Sequence, residues 1–119
     1  MVAAMKAIKP GQEDAPPVLG MPAHYILDLR GYDPAAEAAR LSVPMLILQG
    51  ERDYQVSMKD FAGWKTALGG RKDVTFKSYP ALNHLFETGE GKSTPAEYDK
   101  PGHVAAEVVD DTAKWIQAH

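Results

Sequence analysis

The chain has 119 residues, room for one small domain, with 45% apolar and 24% charged residues, the balance of a packed core under a charged surface. Its net charge of −3 supplies no basic stripe and argues against nucleic acid as a partner. Cysteine is absent, which excludes disulfides, thiolate metal sites and a cysteine nucleophile.

Met1 to Ile8 predicts a short helix, with Val2, Met5 and Ile8 along one side and Pro10 ending it. The run PGQEDAPPVLGMP, Pro10 to Pro22, is rich in proline and glycine and reads as a connector or arm. The expected organisation is a helix and arm over residues 1–22 and a main body over residues 23–119. No secretory signal or membrane span is recognisable, so a cytoplasmic protein with no membrane partner is expected. Tyr25 to Leu29 is apolar and reads equally well as a helical turn or an extended piece. Asp33-Pro34 opens a short helix through Arg40, with aspartate as N-cap and proline at the first helical position.

From Val43, the run Pro44-Met45-Leu46-Ile47-Leu48-Gln49 is continuously apolar and bounded by turn signals, the mark of a strand buried on both faces. Gly50 ends it. Ser57 with Asp60 three residues on predicts a capped helix to about Leu68, its inner face traced by Met58, Phe61, Trp64 or Lys65, and Leu68. Val74 to Tyr79 predicts a second strand, closed by Pro80. A polar loop, Glu87 to Pro101, leads to a last amphipathic helix over about Gly102 to Gln117, with Val104, Val108, Val109, Trp115 and Ile116 on its apolar side. Strand, helix and strand make a right-handed parallel βαβ unit, so the fold class is α/β. In such sheets ligands and catalytic groups gather beyond the carboxyl ends of the strands.

Two residues fall there. Asp53 follows the first strand in GERDYQV, and His84 follows the second in LNHLF. A carboxylate that accepts the imidazole Nδ1–H fixes the tautomer and stabilises the imidazolium formed in proton transfer. Histidine suits the transfer because its unperturbed pKa is about 6.5. Taken singly, Asp53 also reads as a turn residue and His84 as a loop histidine bonded to backbone; their joint placement after consecutive strands favours the pair.

LSVPMLILQGERDYQV followed by YPALNHLF resembles the C-terminal part of an α/β-hydrolase of the dienelactone hydrolase and prolyl-oligopeptidase-like group. The last helix, ending in Lys114-Trp115-Ile116, is similar too, and the resemblance covers roughly Leu19 to the C-terminus. It implies a partial α/β-hydrolase fold of three-layer α/β/α type, with a serine-hydrolase triad in which Asp53 is the acid and His84 the base. The departure is in the nucleophile: no G-x-S-x-G occurs, and Ser42, Ser57, Ser78 and Ser93 sit on no elbow between glycines. The oxyanion-hole segment, which the family places earlier still, is absent as well. The isolated chain is therefore expected to be inactive, and a small ester, lactone, thioester or peptide substrate is expected only once the fold is completed.

Tyr54 and Phe86, with Tyr98 near them, are the candidate substrate-binding side chains; packing is the alternative for each. His24 and His103 show no His-x-x-x-His spacing, and His103 fits the first turn of the last helix, so no metal is expected. The glycines form no G-x-G-x-x-G, and no cofactor is expected. Glu51 and Arg52 read as solvated loop charges, Trp64 and Trp115 as core. A two-stranded parallel sheet leaves unpaired edges. The expected partner is thus a second copy, through the sheet edge or by arm exchange, or a missing N-terminal polypeptide. A non-catalytic self-associating domain, or a small-molecule binder using Asp53, His84 and the loop Thr88 to Tyr98, is the alternative.

Overall fold

Two strands and the helix between them decide the architecture. The structure is a computed structural model that describes residues 2–119; Met1, assigned to the first helix by sequence, lies outside the described residues. The elements are α1 (Val2–Ala7), α2 (Ala23–Gly31), α3 (Pro34–Ala39), β1 (Met45–Gly50), α4 (Met58–Leu68), β2 (Val74–Tyr79), a short 3₁₀ helix (Pro95–Asp99) and α5 (Ala106–Ala118). The chain divides into two compact units, Met1–Pro34 and Ala35–His119.

In the first unit the arm turns tightly at Leu19 and Gly20, both at positive φ, and Val18 and Met21 exchange backbone hydrogen bonds of 3.0 Å. The apolar Tyr25–Leu29 segment is helical, as part of α2. Ile8, Ala23 and Ile26 form the buried cluster. The Arg30 guanidinium donates to the carbonyls of Met5 (2.5 Å) and Ile8 (2.6 Å), groups at the end of α1 that have no acceptor role within the helix.

In the second unit β1 and β2 pair in parallel, from Met45↔Val74 to Gly50↔Tyr79. Arg71 braces the approach to β1. Its guanidinium donates to the carbonyls of Leu41 (2.7 Å) and Val43 (2.9 Å) and pairs with Asp73. Helix α4 begins where Ser57 donates its backbone N–H and its hydroxyl to the Asp60 carboxylate, each at 2.8 Å, the reciprocal half of a capping box. Successive β2 side chains point to opposite faces. Phe76 meets Phe61 of α4 edge to face at 6.0 Å. Thr75, Lys77 and Tyr79 on the alternate face meet α5 through Trp115, Asp111 and Val108. The unit is therefore a small α/β fragment with a helix on each side of two strands.

Four sequence expectations change. Residues Met45 to Leu48 are half-buried, and only Gln49 and Gly50 at the end of β1 are buried. Two strands and two helices do not provide enough surface to cover both faces of the run. For the same reason Trp64 and Trp115 are half-buried and line an open apolar groove with Met45, Leu46, Ile47 and Ile116. On α5 Val108 is buried, whereas Val109 and Ile116 are exposed. Finally, α5 starts at Ala106, so His103 precedes it instead of occupying its first turn. The Ala105 N–H donates to the Phe86 carbonyl at 2.9 Å, which ties the residue before α5 to the segment that follows His84.

Candidate active site

Parallel register brings the ends of β1 and β2 level, and the segments beyond them are cross-linked. The N–H of Glu51 donates to the Tyr79 carbonyl and that of Arg52 to the Leu82 carbonyl, both at 3.0 Å. Gly50 permits this approach: a Cβ there would lie 2.5 Å from the Asn83 carbonyl oxygen and 2.6 Å from that of Leu82.

Asp53 sits in a turn of its own making. One carboxylate oxygen, Oδ1, accepts the backbone N–H groups of Gln55 (2.8 Å) and Val56 (2.9 Å), an Asx-type turn. The other, Oδ2, lies 2.8 Å from His84 Nδ1. The Asp53 side chain is 6% exposed and that of His84 38%, so the acid is enclosed and the imidazole reaches the surface. With Nδ1–H donating to the carboxylate, Nε2 is the nitrogen left to accept and return a proton.

The His84 loop is held as firmly. The N–H of Asn83 donates to the Glu87 carbonyl (3.1 Å) and that of Phe86 to the Asn83 carbonyl (3.0 Å). The Asn83 Oδ1 accepts the N–H groups of Leu85 (2.9 Å) and Glu87 (3.1 Å). Phe86 has φ 56°, a left-handed conformation that costs a non-glycine residue about 1 kcal/mol. Its ring meets Tyr79 edge to face.

Asp53, His84 and Phe86 line one hollow of about 160 Å³ together with Leu48, Gln49, Gly50 and Val56. That is smaller than the roughly 300–1,000 Å³ of a site that encloses a drug-sized ligand. Tyr54 lies outside that lining; its ring stacks on Tyr98 with centroids 6.0 Å apart, and Gln55 donates to the Tyr98 hydroxyl at 3.0 Å.

Arg52 departs from its sequence reading. Its side chain is 8% exposed and donates to the carbonyls of Gly91 (2.8 Å) and Glu90 (3.1 Å) and to the Glu97 carboxylate. The sequence flags neither this role nor those of Asn83 and Glu97, because their partners lie on other loops. Gly89 is the one trace: a Cβ there would collide with the Arg52 guanidinium.

Three of the four serines donate to carboxylates: Ser57 to Asp60, Ser78 to Glu51 and Ser93 to Glu97. Among the described residues no group of three or more His, Cys, Asp or Glu side chains could hold a metal ion. Nor is any described helix long and apolar enough to cross a membrane.

Burial is the strongest influence on the Asp53 carboxyl and pushes its pKa up. It is outweighed by the hydrogen bonds from Val56, His84 and Gln55 and by the imidazole's charge, so the net pKa lies below the ordinary value. A carboxyl depressed on folding adds stability that is complete above its unfolded pKa, about 3.9, and is lost as pH falls through the folded value. The stability difference between the wild-type chain and Asp53→Asn should therefore be largest above about pH 5 and shrink steadily below about pH 4. Urea unfolding from pH 7 to pH 3 measures it; a difference that grows on acidification would refute the assignment.

Among known proteins the chain is 50% identical over 108 residues to Esterase EstD of Thermotoga maritima, a match covering 88% of this chain and 26% of the esterase. The chain thus spans about a quarter of the curated relative it matches. No family model matches it, and no solved structure does.

Proposed function

We propose that residues 23–119 are the C-terminal portion of an esterase-type serine hydrolase of the dienelactone hydrolase and prolyl-oligopeptidase-like group, with residues 1–22 as its arm. The observation that carries this reading is the 2.8 Å hydrogen bond between His84 Nδ1 and Asp53 Oδ2 at the carboxyl edge of the sheet. A serine from polypeptide outside these residues attacks the acyl carbon and gives its proton to His84 Nε2. Asp53 stabilises the imidazolium, which then protonates the departing alkoxide; water repeats the cycle to release the acid. Phe86 borders the acyl or alcohol side of the hollow, and Tyr54, outside its lining, contacts the part of the substrate that extends beyond it. The free edge of β1, with the apolar groove of Trp64, Trp115 and Ile116 beside it, is where the completing strands add.

Without nucleophile and oxyanion donors the chain has no hydrolase turnover. A fluorophosphonate probe should leave the isolated chain unlabelled. After co-refolding with the preceding three-quarters of an EstD-like polypeptide, the probe should label that polypeptide's serine, and p-nitrophenyl esters should be hydrolysed. Labelling of a serine within the isolated chain would overturn the proposal. The same free edge favours a second reading, a self-associating non-catalytic domain. A monomer throughout a sedimentation concentration series counts against that one.

A further inference from the structure

Beneath His84 lies a layer of polar side chains that the acid–base pair does not itself use. Asn83 is 1% exposed, and its Oδ1 accepts the two N–H groups that shape the turn carrying His84. Its remaining amide, Nδ2, donates to Glu97 Oε2 at 3.1 Å. The same oxygen accepts the Ser93 hydroxyl at 3.1 Å. The other oxygen, Oε1, pairs with Arg52, whose backbone N–H is bound to the Leu82 carbonyl in the strand-to-loop crossing. One carboxylate from the distant 3₁₀ helix thus fixes which way the Asn83 amide faces. The residue before Asp53 and the residue before His84 are both fastened to it.

We propose that Glu97 is the positioning residue of the His84 loop, acting through Asn83 and Arg52 to hold the imidazole in register with Asp53. The proposal rests on reading Asp53 and His84 as an acid–base pair, but it concerns placement, which can be observed without catalysis. The hydrogen bonds from Asn83, Arg52 and Ser93 and the charge of Arg52 also keep the Glu97 carboxyl below its ordinary pKa despite its partial burial, consistent with a permanent anion as the hub.

The chemistry sets the test. All three of Glu97's side-chain partners are donors, so both its oxygens must accept. In Glu97→Gln one acceptor becomes an NH₂ group. Whichever way the amide turns, it meets a donor, either Arg52 or Asn83. Adding Asn83→Asp restores complementarity. The introduced glutamine amide then accepts from Arg52 through its oxygen and donates its NH₂ to one oxygen of the introduced carboxylate. The other oxygen of that carboxylate still accepts from Leu85 and Glu87.

The readout is the His84 Nδ1–H proton, observed by NMR in the ¹⁵N-histidine-labelled chain together with its exchange rate with water. In E97Q that exchange should quicken about tenfold, the loss expected for one charge-assisted hydrogen bond. The backbone amide spectrum of β1, α4 and β2 should stay in place. In E97Q/N83D the slow exchange should return to within about threefold of wild type, a non-additive rescue that general loosening does not produce. An unchanged exchange rate in folded E97Q overturns the proposal, as does failure of the double variant to recover. If E97Q does not fold, the double variant decides alone: folding with a protected Nδ1–H supports the proposal, and an unprotected one overturns it. A completed hydrolase that fails to turn over while this pattern holds would refute the catalytic reading and leave the positioning role standing.

Discussion

Asp53→Asn in the completed hydrolase should lower kcat by about 10⁴ while leaving the fold intact. The size of the effect follows from where the carboxylate's lone pairs go. Oδ1 is committed to the N–H groups of Gln55 and Val56, so an asparagine must keep its carbonyl oxygen there and turn its NH₂ toward His84. The imidazole then faces a donor at Nδ1 and adopts the tautomer with its proton on Nε2. That nitrogen can no longer take the proton of an attacking serine. Steady-state hydrolysis of a p-nitrophenyl ester by the reconstituted protein measures this, with the amide fingerprint as the check on folding. A loss below about tenfold would mean the pair does not act as acid and base.

Gly50→Ala should destabilise the second unit by about 3 kcal/mol, near the upper end for a single added methyl group. The new Cβ meets two backbone carbonyl oxygens, those of Asn83 and Leu82, at 2.5 and 2.6 Å. Backbone cannot rotate away as the tip of a flexible side chain can. Relief requires opening the crossing held by the Arg52 N–H to Leu82 carbonyl hydrogen bond, so the Asp53 and His84 loops part as stability falls. Urea unfolding should show the midpoint shift, with a drop of roughly 10 °C or more in Tm. A loss under about 1 kcal/mol would show that the two loops are not tightly apposed.

The parts of the molecule legible in the sequence are those set by local pattern. The run Pro44 to Gln49, the Ser57–Asp60 start signal and the alternation from Val74 to Tyr79 each specify an element within their own residues, and β1, α4 and β2 appear at those places. Parallel pairing then follows from the intervening helix, which is what makes Asp53 and His84 recognisable as neighbours. Features set by distant contacts are not legible in the same way. Nothing around Arg52 shows that its guanidinium will be enclosed by Glu90, Gly91 and Glu97. The start of α5 falls later than the pattern suggests: Val104 stands four residues before Val108, as on one helical face, yet the Ala105 N–H is taken by the Phe86 carbonyl. The exposure of Val109 and Ile116 depends on how many strands and helices surround them, a quantity no local pattern contains.

The even register from Met45↔Val74 to Gly50↔Tyr79 makes the Asp53–His84 distance independent of most of the chain between them. Only the steps from Gly50 to Asp53 and from Tyr79 to His84 convert sheet geometry into a 2.8 Å contact. Residues added to or removed from the α4 crossover change how the chain travels from one strand to the next, and leave the two strand ends where they were. A single residue added inside either short step displaces one partner by the rise of a whole strand residue, about 3.3 Å. In a lineage of such chains the crossover is free to drift in length, while the two steps are confined to substitution.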